Sequence, residues 1–496
     1  MDFTRKYNND KWVLITICFL AALRIFIYAA AFPFFSNIDE QAHLDLVIKY
    51  SQGHAPHSIE KLSAATAYYI PRYESPEYFN IPTEQSGGTF QSPPWTKPAA
   101  SMQRYYNEGA IFWSNNYTNH ESSQAPVYYQ LAALWTNLGF TLGITEGYLL
   151  YWIRFLNILY IIALVIIAAN VASTLFPDDR FINIGLPLLV AFIPQDSYYS
   201  IQNDVLSPVL YGLAFLYLIR FIKSEFKSNF YGLATGISLA ITILVKTANL
   251  PLAFIVLIAT LFIAIKNFKL NKSTLLPLLL FLICTIVPVA IWMMGNYTNY
   301  GDITASEEKI KILGWTHKSI SNWYPHPVFS LAGFWEFISG LLSSFWRGEM
   351  IWWTKPIANR FVDVFYIVSS ILVVAITCFG NKHKKSGLLK QSNTIALFSF
   401  LSLMLFMAVL SLSFDFGNCE NPSQAHPYFV SGRLITAALI PFALLYLQGI
   451  GILLKGIQKD SIKIFILIVI LLIITISEYT DHAPVFASQY NFYHLK

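Results

Sequence analysis

Long apolar runs recur along the chain from Trp12 to Ile476, and polar or basic residues separate them. Each run approaches the roughly 20 residues that an α-helix needs to cross the hydrocarbon core of a bilayer. The pattern predicts an all-α, polytopic membrane protein. The eleven predicted membrane-spanning helices are 12–35, 150–175, 182–196, 205–222, 231–246, 250–266, 274–294, 361–379, 394–413, 432–454 and 464–477.

A further apolar segment, 126–143, is predicted to lie along the membrane interface as an amphipathic helix. Its apolar residues share one helical face, and Gln130 and Asn137 interrupt the run. If this segment crossed the membrane, nearly all the basic loops that follow would face outward. That arrangement contradicts the preference of basic residues for the cytoplasmic side, so eleven spans are favoured.

The loop charges then predict the orientation. The basic segments expected in the cytoplasm are the N-terminus, 176–181, 220–230, 266–273, 380–393 and 455–463, whereas the external loops 197–204 and 414–431 contain no Lys or Arg. The N-terminus is therefore predicted to be cytoplasmic. Two large external loops, 36–149 and 295–360, are expected to contain juxtamembrane helices, including one near 329–345. The chain is therefore predicted to divide into a transmembrane module, 1–294, which includes loop 36–149, the external loop 295–360, and the C-terminal transmembrane helices, 361–496.

Composition supports a membrane protein and adds a clue about its ligand. Hydrophobic residues make up 55% of the chain and charged residues only 12%, which excludes secreted, disordered and nucleic-acid-binding proteins. The four cysteines form no metal-binding pattern. Eleven of the twelve tryptophans fall on the predicted external side. An aromatic belt should appear at both interfaces, so this bias suits either a sugar-binding surface or simple packing of the external loops.

The sharpest local motif follows the first span: Asn37-Ile38-Asp39-Glu40-Gln41-Ala42-His43. Asp39 and His43 are four residues apart, so a helix starting near Asp39 would place both on one face. Carboxylates at this position can serve as a general base or as metal ligands. The alternative is that Asn37 or Asp39 caps a short interfacial helix.

The Asp39–His43 segment resembles the DE-x-x-H opening of a bacterial branch of the GT-C superfamily of integral-membrane glycosyltransferases. Other landmarks follow in the same order as in that superfamily. They are His120 through Tyr129, similar to H-x-P-L-Y-Y; Ile193-Pro194-Gln195 through Asn203-Asp204, similar to P-Q…N-D; Val245-Lys246-Thr247, similar to L-T-K; and Ser431-Gly432-Arg433-Leu434, similar to Q-G-R-Y. The resemblance covers most of the chain.

The resemblance implies an inverting transfer of a sugar from a polyprenyl-phosphate carrier to an external acceptor. In that chemistry Asp39 or Glu40 is the catalytic base. The leaving phosphate needs cations, and buried basic residues in membrane spans are often functional. The expected phosphate-binding residues are Arg433, Lys246, His120 and Arg347, and the expected substrate-binding residues are His43, Asp204, Glu349 and Tyr128.

Structural roles remain open for several of these residues. Arg433 can snorkel from a helix end, and Asp204 can cap the following helix. His120 can order its loop, and Arg347 with Glu349 can anchor an interfacial segment. Some superfamily members use a divalent cation. Asp39, Glu40, His43 and Asp204 offer oxygen and nitrogen ligands for Mg²⁺ or Mn²⁺, but their spacing does not require an ion.

The expected setting is a bacterial inner membrane with an extracytoplasmic active site. The partners are membrane lipids, the lipid-linked donor and a glycan or lipid acceptor such as O-antigen or a cell-wall polymer. One rival function is a flippase or transporter of lipid-linked sugars, which would place polar residues near mid-bilayer along a path open to both sides. A second rival is a polysaccharide polymerase that consumes lipid-diphosphate-linked oligomers.

Overall fold

A computed structural model describes residues 2–267, 272–380, 387–419 and 422–492. The segments 268–271 and 381–386, within two predicted cytoplasmic loops, lie outside the described residues. The described α-helices are α1 (Asp2–Ala31), α2 (Glu40–Ser51), α3 (Ala64–Tyr73), α4 (Ala99–Asn116), α5 (Val127–Thr141), α6 (Glu146–Leu175), α7 (Arg180–Phe192), α8 (Ser207–Lys223), α9 (Asn229–Val245), α10 (Leu250–Asn267), α11 (Lys272–Tyr300), α12 (Glu307–Ile312), α13 (Leu331–Arg347), α14 (Arg360–Phe379), α15 (Gly387–Ser413), α16 (Leu439–Leu453), α17 (Asp460–Asp481) and α18 (Ala483–Phe486).

Three short antiparallel strand pairs connect the loops between these helices. The strands are β1 (Glu60–Lys61), β2 (Thr118–Asn119), β3 (Thr316–His317), β4 (Ile351–Trp352), β5 (Lys355–Pro356) and β6 (Phe414–Asp415). Strand β1 pairs with β2, β3 with β6, and β4 with β5. The β3–β6 pair joins the two predicted external loops 295–360 and 414–431, because Thr316 lies opposite Asp415.

Each of the eleven predicted spans coincides with a helix, and the chain is an all-α polytopic membrane protein. Nine described helices are long and apolar enough to cross a membrane, and α7 and α9 are shorter apolar helices. Several outward-facing residues on the long helices are large and apolar, such as Phe254, Leu405 and Ile473, each more than 60% exposed. Such faces suit contact with lipid chains. The segment predicted to lie in the interface forms α5, which is 15 residues long.

The predicted span 182–196 differs from the structure at its end. Helix α7 stops at Phe192, and irregular backbone continues to Leu206 through two single-turn 3₁₀ helices. The side chains of this connection are almost all buried, including Gln195, Asp196 and Gln202. Irregular backbone near a membrane is tolerated where it is enclosed by protein. Here the connection lies between the helix bundle and the large loops.

The loops that were predicted to be external meet at one end of the helix bundle. The side chain of Asn37 bonds to the backbone of Glu349 and Ile351, at 3.1 and 3.0 Å. Gln195 donates to the carbonyl oxygen of Phe345 at 2.9 Å. The amphipathic helix expected near 329–345 is α13. This assembly brings residues from distant parts of the sequence to one site.

A buried ion pair fixes helix α1 to helix α17. Arg24 donates from Nη2 to Glu478 Oε1 at 2.6 Å and from Nε to Oε2 at 3.2 Å. The hydroxyl of Tyr199 also bonds to Glu478. The charge of Arg24, buried within a predicted span, is thus balanced by an acid of the protein itself.

Candidate active site

Asp39 lies between α1 and α2 in a left-handed backbone conformation, with φ 63° and ψ 24°. Few non-glycine residues adopt this region, although aspartate tolerates it better than most. Its carboxylate makes no hydrogen bond to the first N–H groups of α2. The capping role considered for Asp39 is therefore absent, and the side chain turns toward charged partners instead.

The two oxygens of the Asp39 carboxylate face different partners. Oδ1 lies 3.5 Å from His120 Nε2, and Oδ2 lies 3.5 Å from Arg433 Nη2. Burial alone raises the pKa of Asp39, but the hydrogen bond and charge of His120 and the charge of Arg433 lower it below the usual range. The side chain remains 30% exposed. Asp39 is therefore an accessible carboxylate that is ionised at neutral pH.

Arg433 is the centre of the charged cluster. Its Nε lies 3.7 Å from Glu349 Oε2 and 4.0 Å from Asp204 Oδ2, in addition to its contact with Asp39. Lys246 Nζ lies 2.6 Å from the other oxygen of Asp204. The structure thus brings together Asp39, Lys246 and Arg433, which are separated by nearly 400 residues in the sequence.

Three buried polar atoms in this cluster have no hydrogen-bond partner among the described residues: Arg433 Nε, Asp204 Oδ2 and Glu121 Oε2. Buried polar groups in folded proteins are nearly always hydrogen-bonded, so each exception needs an explanation. A polar ligand or ordered water that reaches these atoms would provide the missing partners. The cluster has the chemical character of a site for a charged ligand.

Two members of the cluster, Glu121 and Lys309, were not anticipated from the sequence. Glu121 lies beside His120 in the same loop, and Lys309 in α12 pairs with its Oε1. Burial raises the pKa of Glu121, but the charges of Lys309 and then His120 lower it well below the usual range. The position of Glu121 next to His120 was the available signal. Nothing in the sequence pointed from residue 121 to residue 309.

The groups that could hold a metal ion differ from the predicted set. Ligand atoms of Asp39, His120 and Glu121 all lie within 4.8 Å of one another. In the described part of the chain, Glu40 and His43 contribute to no such group. The donor set of two carboxylates and one imidazole suits Mn²⁺ better than Mg²⁺, which prefers oxygen ligands alone.

Glu40 has a structural position instead of the predicted catalytic one. Its carboxylate is fully buried and accepts two bonds of 2.7 Å from Arg154. It also accepts from the backbone N–H groups of Phe35 and Ile201, each at 2.9 Å. Since solvent and substrate cannot reach this carboxylate, Asp39 is the only member of the acid pair placed to act as a base.

His43 is also enclosed by protein. Its Nδ1 lies 2.8 Å from the hydroxyl of Tyr129, and its side chain is almost completely buried. Burial is the main cause that lowers the pKa of His43, to about 4, so the imidazole is neutral at physiological pH. Although Asp39 and His43 are four residues apart, the left-handed turn at Asp39 directs the two side chains to different partners.

Two further predicted ligand-binding residues are engaged by other parts of the protein. Arg347 pairs with Asp363 at 2.9 Å and lines a small crevice that also contains Glu478 and His482. Tyr128 is 1% exposed and packs its ring against those of Tyr129 and Tyr160. In this arrangement neither residue is available to a ligand at Asp39. Glu349, by contrast, accepts hydrogen bonds from the hydroxyl of Ser431 and the backbone N–H of Arg433.

The residue before Arg433 must be a glycine because another chain segment packs directly against it. A Cβ atom at this position would lie 2.0 Å from the backbone nitrogen of Phe345, near the end of α13. Only glycine permits this close approach between the two chain segments. This close contact places Arg433 beside Glu349, which lies in the loop that follows α13.

The family model described as "Predicted membrane protein (DUF2142)" matches residues 18–420. The chain belongs to this family. The matched region of this DUF2142 protein includes Asp39, His120, Lys246 and Glu349, but it ends before Arg433.

Among curated proteins, no sequence matches this DUF2142 protein. Among solved structures, it is similar to the archaeal oligosaccharyltransferase AglB from Archaeoglobus fulgidus, solved in complex with an inhibitory peptide and a dolichol-phosphate. The identity is 10% and the TM-score is 0.41, over 97% of this chain and 56% of that one. The chain thus spans little more than half the length of AglB. A TM-score of this size is too low for the likeness to bear on activity.

Proposed function

We propose that this DUF2142 protein is an inverting glycosyltransferase that moves a sugar from a polyprenyl-phosphate carrier to a glycan or lipid acceptor. O-antigen or a cell-wall polymer at the external face of a bacterial inner membrane is the acceptor class that we favour. The observation that carries the proposal is the convergence of an accessible carboxylate, Asp39, with two deep cations, Arg433 and Lys246. The resemblance of the sequence motifs to those of GT-C glycosyltransferases suggests the type of reaction and the lipid-linked donor.

In the proposed reaction, Asp39 is the general base. An acceptor hydroxyl attacks the anomeric carbon and transfers its proton to the Asp39 carboxylate. The new bond joins the acceptor oxygen to the anomeric carbon, and the bond from that carbon to the phosphate oxygen breaks. The electron pair leaves with the polyprenyl phosphate, and the anomeric configuration inverts. Arg433, whose Nη2 lies 3.5 Å from Asp39 Oδ2 and whose Nη1 lies 3.5 Å from Gln202 Oε1, holds the phosphate in this proposal.

Arg433 and Lys246 stabilise the charge that develops on the leaving phosphate in this proposal. The guanidinium offers a planar array of donors, and its Nε–H has no hydrogen-bond partner in the described residues. Lys246 supplies a compact positive charge that Asp204 holds in place. Removing one such donor from a preorganised site typically costs about 10²–10³ in rate.

Asp39, His120 and Glu121 are the residues that would hold a divalent cation. Glu121 Oε2, which has no hydrogen-bond partner in the described part of the chain, is the atom that fits one. When bound, the ion would supply positive charge to neutralise the phosphate. Manganese bound to purified protein has a paramagnetic resonance spectrum, which gives a readout independent of transfer. Glu121→Gln should weaken this binding, whereas the exposed control Glu84→Gln should not.

A reconstituted assay tests the proposal. Purified protein in liposomes is supplied with undecaprenyl-phosphate-linked glucose, mannose or galactose and with a lipid extract as acceptor, and mass spectrometry follows the release of undecaprenyl phosphate. Asp39→Asn should lower release by about 10²–10⁴, because the base is lost. Asp178→Asn is the matched control, since Asp178 is exposed and belongs to the predicted cytoplasmic segment 176–181. Equal rates in Asp39→Asn and wild type would exclude Asp39 as the base.

The same assay separates the rival functions. A flippase would change the side on which the intact donor is found but would not release undecaprenyl phosphate. A polymerase would use undecaprenyl-diphosphate-linked oligosaccharides and release the diphosphate instead. The charged cluster lies at one end of the bundle, which favours a one-sided transferase site over a transport path.

A further inference from the structure

A cavity of about 430 Å³ opens among the loops that follow α1, beside the segment that contains Asp39. This volume lies within the range of roughly 300–1,000 Å³ that is typical of small-molecule sites. Its wall contains five aromatic residues, Phe35, Phe79, Tyr105, Trp113 and Tyr490, and several polar ones, among them Gln41, Glu74 and Lys97. The function proposed above uses none of these side chains.

Glu74 is the most unusual group in the cavity wall. Its carboxylate forms no hydrogen bond or ion pair within the described residues, although the side chain is largely enclosed. Burial raises the pKa of Glu74 to about 7. At neutral pH such a carboxyl group is present in both protonation states, so it can accept or donate a hydrogen bond. An isolated carboxyl group of this kind suits a ligand with hydroxyl groups.

A row of aromatic side chains leads from the cavity to the charged cluster. The ring of Trp113 lies 5.5 Å from that of Tyr117, which lies 6.4 Å from the ring of His120, the partner of Asp39. Gln41 lies on the same path. Its Nε2 is 3.5 Å from the hydroxyl of Tyr117, and its Oε1 is buried without a hydrogen-bond partner among the residues that the structure describes. A ligand in the cavity can therefore extend toward Asp39.

We infer that this cavity is a glycan subsite, which holds a sugar residue of the acceptor adjacent to the one that reacts at Asp39. The inference rests on the proposed transferase function. The apolar face of a sugar ring packs against Trp113 or Tyr105, and its hydroxyl groups bond to Glu74 and Gln41. The polar groups disfavour an acyl chain, because burying them against hydrocarbon would leave them without hydrogen bonds.

Binding of defined sugars tests the inference without any need for catalysis. Saturation-transfer NMR is recorded on the full-length protein in detergent with maltotetraose, mannotetraose or chitotetraose as the probe. At least one tetrasaccharide should receive saturation from the protein, and Trp113→Ala should weaken its binding by about two- to tenfold, the scale of one lost aromatic contact. Trp113→Tyr should retain binding, which separates loss of the ring from misfolding.

Ile111→Ala is the matched control, because Ile111 is on the same helix and is 59% exposed. Glu74→Ala should also weaken binding, and Glu84→Ala should not. If no tetrasaccharide binds, or if Trp113→Ala binds as tightly as Ile111→Ala, the glycan subsite is excluded.

Further variants distinguish failure of the subsite from failure of the transferase proposal. Asp39→Asn should bind the tetrasaccharide as wild type does, and such binding supports the subsite even where transfer is not detected. In the transfer assay, Trp113→Ala should raise KM for the acceptor and leave KM for the donor unchanged. Normal acceptor KM in a variant that transfers sugar would overturn the subsite and leave the transferase function intact.

Discussion

Asp39 and Glu40 are adjacent acids with opposite surroundings. Asp39 is partly exposed and faces His120 and Arg433, whereas Glu40 is enclosed by Arg154 and two backbone N–H groups. Successive residues at the start of a helix point in different directions, so an acid pair cannot share one site without special geometry. The pair thus divides into a candidate base and a structural anchor.

Arg433→Lys tests whether the shape of the cation matters as well as its charge. Lysine keeps the charge but lacks the planar fork that lies among Asp39, Asp204 and Glu349. We expect the transfer rate to fall by at least about tenfold, the effect of losing one hydrogen bond to a charged group. Arg360→Lys, at an exposed position, is the control. Full activity in Arg433→Lys would remove bidentate phosphate binding from the account.

His43 should make stability depend on pH. Its folded-state pKa is lowered from 6.5 to about 4, mainly by burial, so below pH 6.5 the unfolded chain takes up a proton that the folded chain does not. Stability should therefore fall as the pH drops from about 6.5 to about 4, by up to about 1.4 kcal/mol per pH unit. Thermal unfolding of wild type and His43→Gln at several pH values measures this effect. The exposed control His57→Gln should retain the wild-type dependence of stability on pH. His43→Gln should lose this dependence between about pH 4 and 6.5. If His43→Gln keeps the wild-type dependence, the imidazole is not buried and neutral.

The sequence motifs contain most residues of the cluster, but they do not show which of two neighbouring candidates faces the cluster and which is buried elsewhere. Arg433, Lys246, Asp204, Glu349 and His120 were candidates, and the structure brings them together with Asp39. The exclusion of His43 and Tyr128 depends on burial against residues far away in the sequence. The same is true of Lys309, whose contact with Glu121 joins two different loops. Local motifs contain no information on such long-range contacts.

At the scale of elements, apolar run length predicted each spanning helix, but it did not predict where α7 ends. The residues after Phe192 are as buried as those before it, so hydrophobicity does not mark the boundary. The irregular connection supplies Gln202 to Arg433 and a backbone N–H to Glu40. The absence of helix there lets the Ile201 N–H bond to Glu40 and places the Gln202 side chain beside Arg433.

Gly432→Ala tests the close approach of the segment before α16 to the end of α13. The added methyl group would lie 2.0 Å from the backbone nitrogen of Phe345, so the segments must separate. Overpacking of this kind costs about 1–3 kcal/mol. We expect a lower unfolding temperature in detergent, measured by tryptophan fluorescence, together with reduced transfer. At Gly456 an added Cβ meets no atom of the described residues within 4 Å, and Gly456→Ala should match wild type. Equal unfolding temperatures in the two variants would contradict the tight contact.

The orientation of the whole molecule in the membrane can be tested, because the charged cluster is predicted to face the external side. Ser86 and Ser461 are exposed residues that the predicted topology places on opposite sides of the membrane, Ser86 outside and Ser461 in the cytoplasm. In a background with the four native cysteines replaced by serine, a membrane-impermeant maleimide should label Ser86→Cys in intact cells. It should label Ser461→Cys only after lysis. The reverse pattern would place Asp39 in the cytoplasm and exclude an external lipid-linked donor.

A cryo-EM map of the protein with bound undecaprenyl phosphate would locate the phosphate itself. We expect the phosphate to contact both Arg433 and Lys246 and the Asp39 carboxylate to face it across an open space. A phosphate bound elsewhere, for example beside Arg347 and Asp363, would contradict the assignment of the site.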